Sequence, residues 1–118
     1  MSPLGHHLGT AAARASGGLT VLIGTLHVAL TPGIYQTLSL DALWFAGSGI
    51  AVVLIGALTI LAEQARPVRW AALAANGAGV VLGAAFTVLT SASEPQGPVL
   101  IVLFLAAIVS LALSRERP

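Results

Sequence analysis

The sequence has no cysteine and no lysine, and charged residues make up only 8% of its 118 positions. Without cysteine there is no disulfide framework, no thiolate nucleophile and no cysteine-based zinc site, and redox usage says nothing about compartment. The five basic residues are all arginine, the four acids are scattered, and the formal net charge is +1. No basic stripe is therefore available to neutralise a phosphate backbone, and nucleic acid is not an expected partner. Soluble domains carry about 25% charged residues because their surface must meet water. A chain with so few charges cannot cover itself in that way.

What the sequence does have is apolar length: 57% of residues are hydrophobic and the mean hydropathy is +0.96. Four apolar blocks, separated by the charge, proline and polar clusters, predict helices over about 12–31, 41–63, 68–90 and 98–114. A hydrocarbon core about 30 Å thick needs about 20 helical residues. The second and third blocks meet that length outright. The first and fourth draw on flanking residues, with Arg14 able to snorkel to the interface. Continuous runs, as opposed to ten-residue alternations, favour helices over a membrane barrel. The expected fold is all-α, a single domain of four transmembrane helices in an antiparallel up-down bundle. Arg14 before an apolar stretch also has the look of a signal peptide, but three further hydrophobic blocks follow, so the first block is expected to be an uncleaved anchor.

Arginine placement predicts the threading. Arg14 precedes the first helix, Arg66 and Arg69 lie between the second and third, and Arg115 and Arg117 follow the fourth. All five fall on one side, which the positive-inside rule makes cytoplasmic. The opposite loops, residues 32–41 and 91–97, carry only Asp41 and Glu94. Both termini are expected inside.

Local chemistry suggests the boundaries. Pro32 and Gly33 are expected to end the first helix. Ser39 or Asp41 is expected to cap the second, with the carboxylate near its positive N-terminal pole. Pro67 suits the first turn of the third helix, and Pro98 the first position of the fourth. Glu63, three residues before Arg66, is expected to form a local interfacial ion pair with it.

Small residues mark the expected helix contacts. Ala75, Gly79 and Gly83 recur at spacing four on the third helix, and Gly49 and Gly56 stand a heptad apart on the second. Such residues permit close backbone approach where lipid removes the hydrophobic drive. The pattern fits tight packing within one bundle and also fits a dimerisation face. Asn76, Thr20, Thr25, Ser48, Thr59, Thr87 and Ser110 are expected to bond across helices or back to their own carbonyls. Trp44 and Tyr35 at one face and Trp70 at the other fit an aromatic belt.

His27 stands apart as the one ionisable side chain inside an apolar block. Ionisable groups at membrane depth are costly and face protein interior or a wet cavity. Folding the second helix back over a short loop would bring Asp41, Trp44 and Ser48 towards His27, Thr31 and Tyr35. Those six residues form the candidate pocket, with Asp41 the expected carboxylate partner of the imidazole. The alternative is a neutral histidine bonded to a neighbouring helix carbonyl. No catalytic residue and no metal ligand is assigned, and a cofactor is left open. Haem through His27 would lack a second intramembrane histidine in a monomer.

His27, Thr31, Pro32, Tyr35, Leu40, Leu43, Trp44, Phe45, Ser48 and Gly49 compose an HxxxTP…LWFxxSG pattern. In this pattern the chain resembles a group of small four-helix bacterial inner-membrane proteins. The likeness covers the first two helices and the overall length. It implies a four-span fold in a bacterial inner membrane and brings no activity or active residues with it.

Three function classes follow. One is a non-enzymatic bundle acting through packing or partner assembly, its partners being the lipid bilayer, a second copy or another membrane protein. Another is a membrane-embedded binding protein or enzyme for an apolar small molecule, lipid or quinone at the outer pocket near His27. The third is a small exporter similar in length and span count to the small multidrug resistance transporters. Those depend on a glutamate in the first helix, where this chain has no acid.

Overall fold

A computed structural model of the protein describes residues 3–114. Four α-helices follow in order: α1 (Pro3–Ile34), α2 (Leu40–Leu61), α3 (Arg66–Leu89) and α4 (Gln96–Leu113). No strand occurs among the described residues. With 32, 22, 24 and 18 residues, the helices are rods of roughly 48, 33, 36 and 27 Å at a rise of about 1.5 Å per residue. Each is long and apolar enough to cross a membrane.

Close approaches establish the directions. Gly17 lies against Gly56 and Gly24 against Gly49, so α1 and α2 run antiparallel. Gly79 meets Phe104, Gly83 meets Ile101 and Gly97 meets Thr87, so α3 and α4 do the same. Gly9, near the start of α1, abuts Leu113 and Ser114 at the end of α4. Each helix thus has two neighbours in a four-membered ring, with α1–α2 the most extensive contact and α2–α3 the least.

The packing is small inside and large outside. Buried positions are mostly Ala, Gly, Ser and Thr, with Phe104 and Leu111 the large apolar exceptions. Leu26, Leu43, Leu54, Val81, Leu82 and Val102 all point outward. In water such a surface would drive association, whereas in lipid, with no hydrophobic force between helices, backbone closeness at small residues is what holds them together.

The helix ends explain themselves locally. Ser39 caps α2, its side-chain oxygen accepting from Ala42 N at 3.1 Å. Pro67 sits in the first turn of α3, where its missing donor is not needed. At the far end of α3, Ser91 and Ala92 take left-handed φ values of 51° and 58°. Ala92 N donates to Thr87 O at 2.8 Å and Ser91 N to Val88 O at 3.1 Å, the paired bonds of a Schellman closure. Glycine usually fills such a position, so the sequence placed the stop near residue 90 but did not announce this form of closure.

Four expectations need correction. The first helix does not begin near residue 12 but at Pro3, which suits a first helical position, and its added turns are supported by the Gly9 contact with α4. Nor do Pro32 and Gly33 end it: the helix continues to Ile34, and Tyr35 N still donates to Thr31 O at 2.9 Å. Pro32 forfeits the bond to Val28 O and crowds that carbonyl, but with only one turn beyond it the loss is confined to the helix end. Third, Glu63 pairs with Arg14 of α1 at 3.2 Å and not with Arg66. Because α2 stops at Leu61 and α3 starts at Arg66, residues 63 and 66 never share a helix face. The fourth helix opens at Gln96, two residues before Pro98.

Candidate functional site

The Pro32-containing end of α1 and the first turns of α2 build the His27 cluster. His27 is half-buried and lies flat on Phe45, with ring centroids 3.7 Å apart and planes 18° from parallel. Its Nε2 is 3.2 Å from Ser48 Oγ. Ser48 Oγ is also 2.8 Å from Phe45 O. When the hydroxyl donates to that carbonyl, Oγ is left to accept from His27 Nε2–H, which selects the ring tautomer. Thr31 Oγ1 donates to His27 O at 3.1 Å, turning the same helix face polar. Tyr35 completes the aromatic group, its ring 5.5 Å from that of Phe45.

Of the six pocket candidates, the structure therefore brings together His27, Thr31, Ser48 and, through Phe45, Tyr35. Asp41 does not join them. It is exposed in the first turn of α2 and, among the described residues, forms no ion pair with His27. Trp44, 71% exposed, points away from the bundle, as a belt residue would. Phe45 was the residue missing from the set. Its place one turn before Ser48 and next to Trp44 offered the signal, since residues three apart share a helix face.

Most other polar groups within the helices are committed to the backbone or to one another. Asn76, fully buried, donates through Nδ2 to Thr59 Oγ1 and to Ala72 O, each at 2.8 Å, and so ties α3 to α2. Thr59 in turn donates to Ile55 O. Thr20, Thr25, Thr87 and Ser110 each donate to the carbonyl four residues back. Thr10 Oγ1, on the extension of α1, is buried with no partner among the described residues.

Helix-contact glycines fall into two sets. Gly49 and Gly56 meet Gly24 and Gly17 across α1–α2, a heptad pairing on both helices. Gly79 makes room for the Phe104 ring and Gly83 for Ile101, while Ala75 is half-buried on the same helix. The α1 glycines, Gly17 and Gly24, were legible as a second heptad pair matching Gly49 and Gly56.

At the opposite end of the bundle lies an open pocket of about 770 Å³. Arg14, Arg66 and Arg69 line it beside a single carboxylate, Glu63. Arg69 also donates to Leu111 O, meeting the negative end of the α4 dipole. Arg115 and Arg117 lie outside the described residues. Among the described residues, no group of three or more His, Cys, Asp or Glu is placed to hold a metal ion.

No protein family, curated protein or solved structure matches the chain.

Proposed function

We propose that this chain is a non-enzymatic bundle of the bacterial inner membrane, threaded with both termini on the cytoplasmic side, which acts through assembly with a second copy or another membrane protein. The observation that carries this reading is the use made of the polar side chains. Within the spans, Asn76, Thr59, Ser48 and the remaining hydroxyls join helices or return to their own backbone. They hold the bundle together, and its outward faces are left for neighbours. The orientation is supported by Arg14, Arg66 and Arg69 standing at one end, while Asp41 and Glu94 stand at the other. The inner-membrane location is supported by the HxxxTP…LWFxxSG resemblance.

A second reading, an outer-side site for an apolar small molecule, lipid or quinone, is supported by the His27–Phe45 stack with Ser48 and Tyr35 beside it. Native mass spectrometry of the protein released from nanodiscs separates the two. Assembly predicts a defined oligomer or a stoichiometric protein companion that persists in His27→Leu. A stoichiometric small apolar molecule retained by the wild type and absent from His27→Leu would replace it with the second reading.

A further inference from the structure

We infer that the arginine-lined cavity is a binding site for a phosphate-bearing anion, supplied either by an acidic phospholipid headgroup or by a small free phosphate. The positive-inside rule accounts for arginines on one side of a bundle, but not for their convergence on one pocket. Here α1 contributes His6 and Arg14, the turn after α2 contributes Glu63 and Gln64, and the first turns of α3 contribute Arg66, Arg69 and Trp70. Three guanidiniums face one carboxylate, so the lining is net positive. The volume of about 770 Å³ falls within the roughly 300–1,000 Å³ of small-molecule sites.

The extension of α1 forms one wall of this open pocket. At about 48 Å by helical rise, α1 exceeds the length needed to cross a bilayer, and its surplus lies at the arginine end, with Gly9 packed against Ser114. Arg14 is anchored from there to Glu63. Arg69 is anchored to the end of α4. Arg66 is exposed at the rim and makes no side-chain hydrogen bond or ion pair among the described residues. It is thus the guanidinium available to an incoming anion, and its planar fork suits phosphate oxygens. Trp70 places an indole in the lining beside them. Basic pockets between membrane-spanning helices are suited to acidic headgroups, and each arginine near an anionic surface contributes roughly a fivefold gain in affinity.

This inference rests on membrane insertion but not on the proposed orientation or partner. The test is lipid retention by native mass spectrometry from nanodiscs of equal phosphatidylglycerol and phosphatidylcholine, with Arg66→Gln and Glu63→Gln compared with wild type. Wild type should keep phosphatidylglycerol preferentially. Arg66→Gln should weaken that preference about fivefold, and Glu63→Gln, which removes the competing carboxylate and releases Arg14, should strengthen it by a similar factor. The opposite signs separate anion binding from damage to the fold, which would weaken retention in both. Displacement of the lipid by millimolar inorganic phosphate assigns the site to a small anion, and resistance to it assigns the site to the headgroup. Equal retention of the two lipids by wild type, or an unaltered preference in both variants, overturns the site while leaving membrane insertion standing.

Discussion

Gly24 and Gly49 face each other across α1 and α2 so closely that a methyl group on Gly24 would lie 2.7 Å from Gly49 O, and one on Gly49 3.0 Å from Gly24 O. Both obstacles are backbone, which cannot swing aside as a side chain can. Gly24→Ala should lower the melting temperature in detergent, with an overpacking penalty of about 1–3 kcal/mol. Gly18→Ala, on the same helix with nothing within 4 Å, should be neutral or stabilising, because alanine is the better helix former by about 1 kcal/mol. Equal melting of the two variants would mean that the helices do not approach at this pair.

Within the α3–α4 seam, Gly83 has more room than Gly24 has against α2. A methyl on Gly83 would be 3.0 Å from Ile101 Cγ1 and 3.6 Å from Gly97 O, so a small side chain can be met by a shift of the isoleucine. A leucine cannot. Gly83→Leu should destabilise strongly, whereas Leu82→Ala, on the exposed face, should change melting little. A wild-type melting temperature for Gly83→Leu would turn that face outward.

Asn76 and Thr59 provide the buried polar link between α3 and α2. Asn76→Leu and Thr59→Val should each destabilise, by about 0.6 kcal/mol on average for such bonds in lipid and up to about 1.7. The double variant should lose less than the sum of the two, since the shared bond can be lost only once. Strict additivity in unfolding measurements would show that the pair is not coupled.

The imidazole of His27 has a hydroxyl for its partner, not a carboxylate. Ser48→Ala should move the ring ¹⁵N and ¹H signals of His27 in NMR spectra, and Phe45→Leu should move them by removing the stacked ring. Asp41→Asn should leave them in place. Movement with Asp41→Asn and none with Ser48→Ala would restore the carboxylate partnership.

The threading can be read by labelling, because the chain has no cysteine to interfere. Ser93→Cys, in the turn between α3 and α4, should react with an impermeant thiol reagent added to intact cells. Gln64→Cys, in the turn between α2 and α3, should react only after the membrane is opened. Reaction of Gln64→Cys from outside would invert the proposed orientation.

The sequence by itself determined that four helices form and roughly where, because apolar runs of spanning length between charged or proline-marked breaks leave a chain few other ways to satisfy its backbone. It also narrowed the cap of α2 to Ser39 or Asp41, of which the structure uses Ser39, and it carried the place of Pro67 and the heptad glycines on α2, since these depend on neighbours a few residues away. What it could not carry were relations between residues distant in the chain. The contact of Gly9 with the end of α4 supports the extension of α1 to Pro3, and the antiparallel pairing of α1 with α2, with Gly17 against Gly56 and Ile60, brings Arg14 opposite Glu63. Pairing by proximity in sequence named Arg66 instead. Likewise Asp41 was the nearest acid to His27 by chain folding, yet the rotation of α2 presents Phe45 and Ser48 to the ring and leaves Asp41 on the exposed rim. Helix period fixes which residues share a face, but the angle at which two faces meet is decided by close packing, here at Gly24 and Gly49, and that is a property of the assembled bundle.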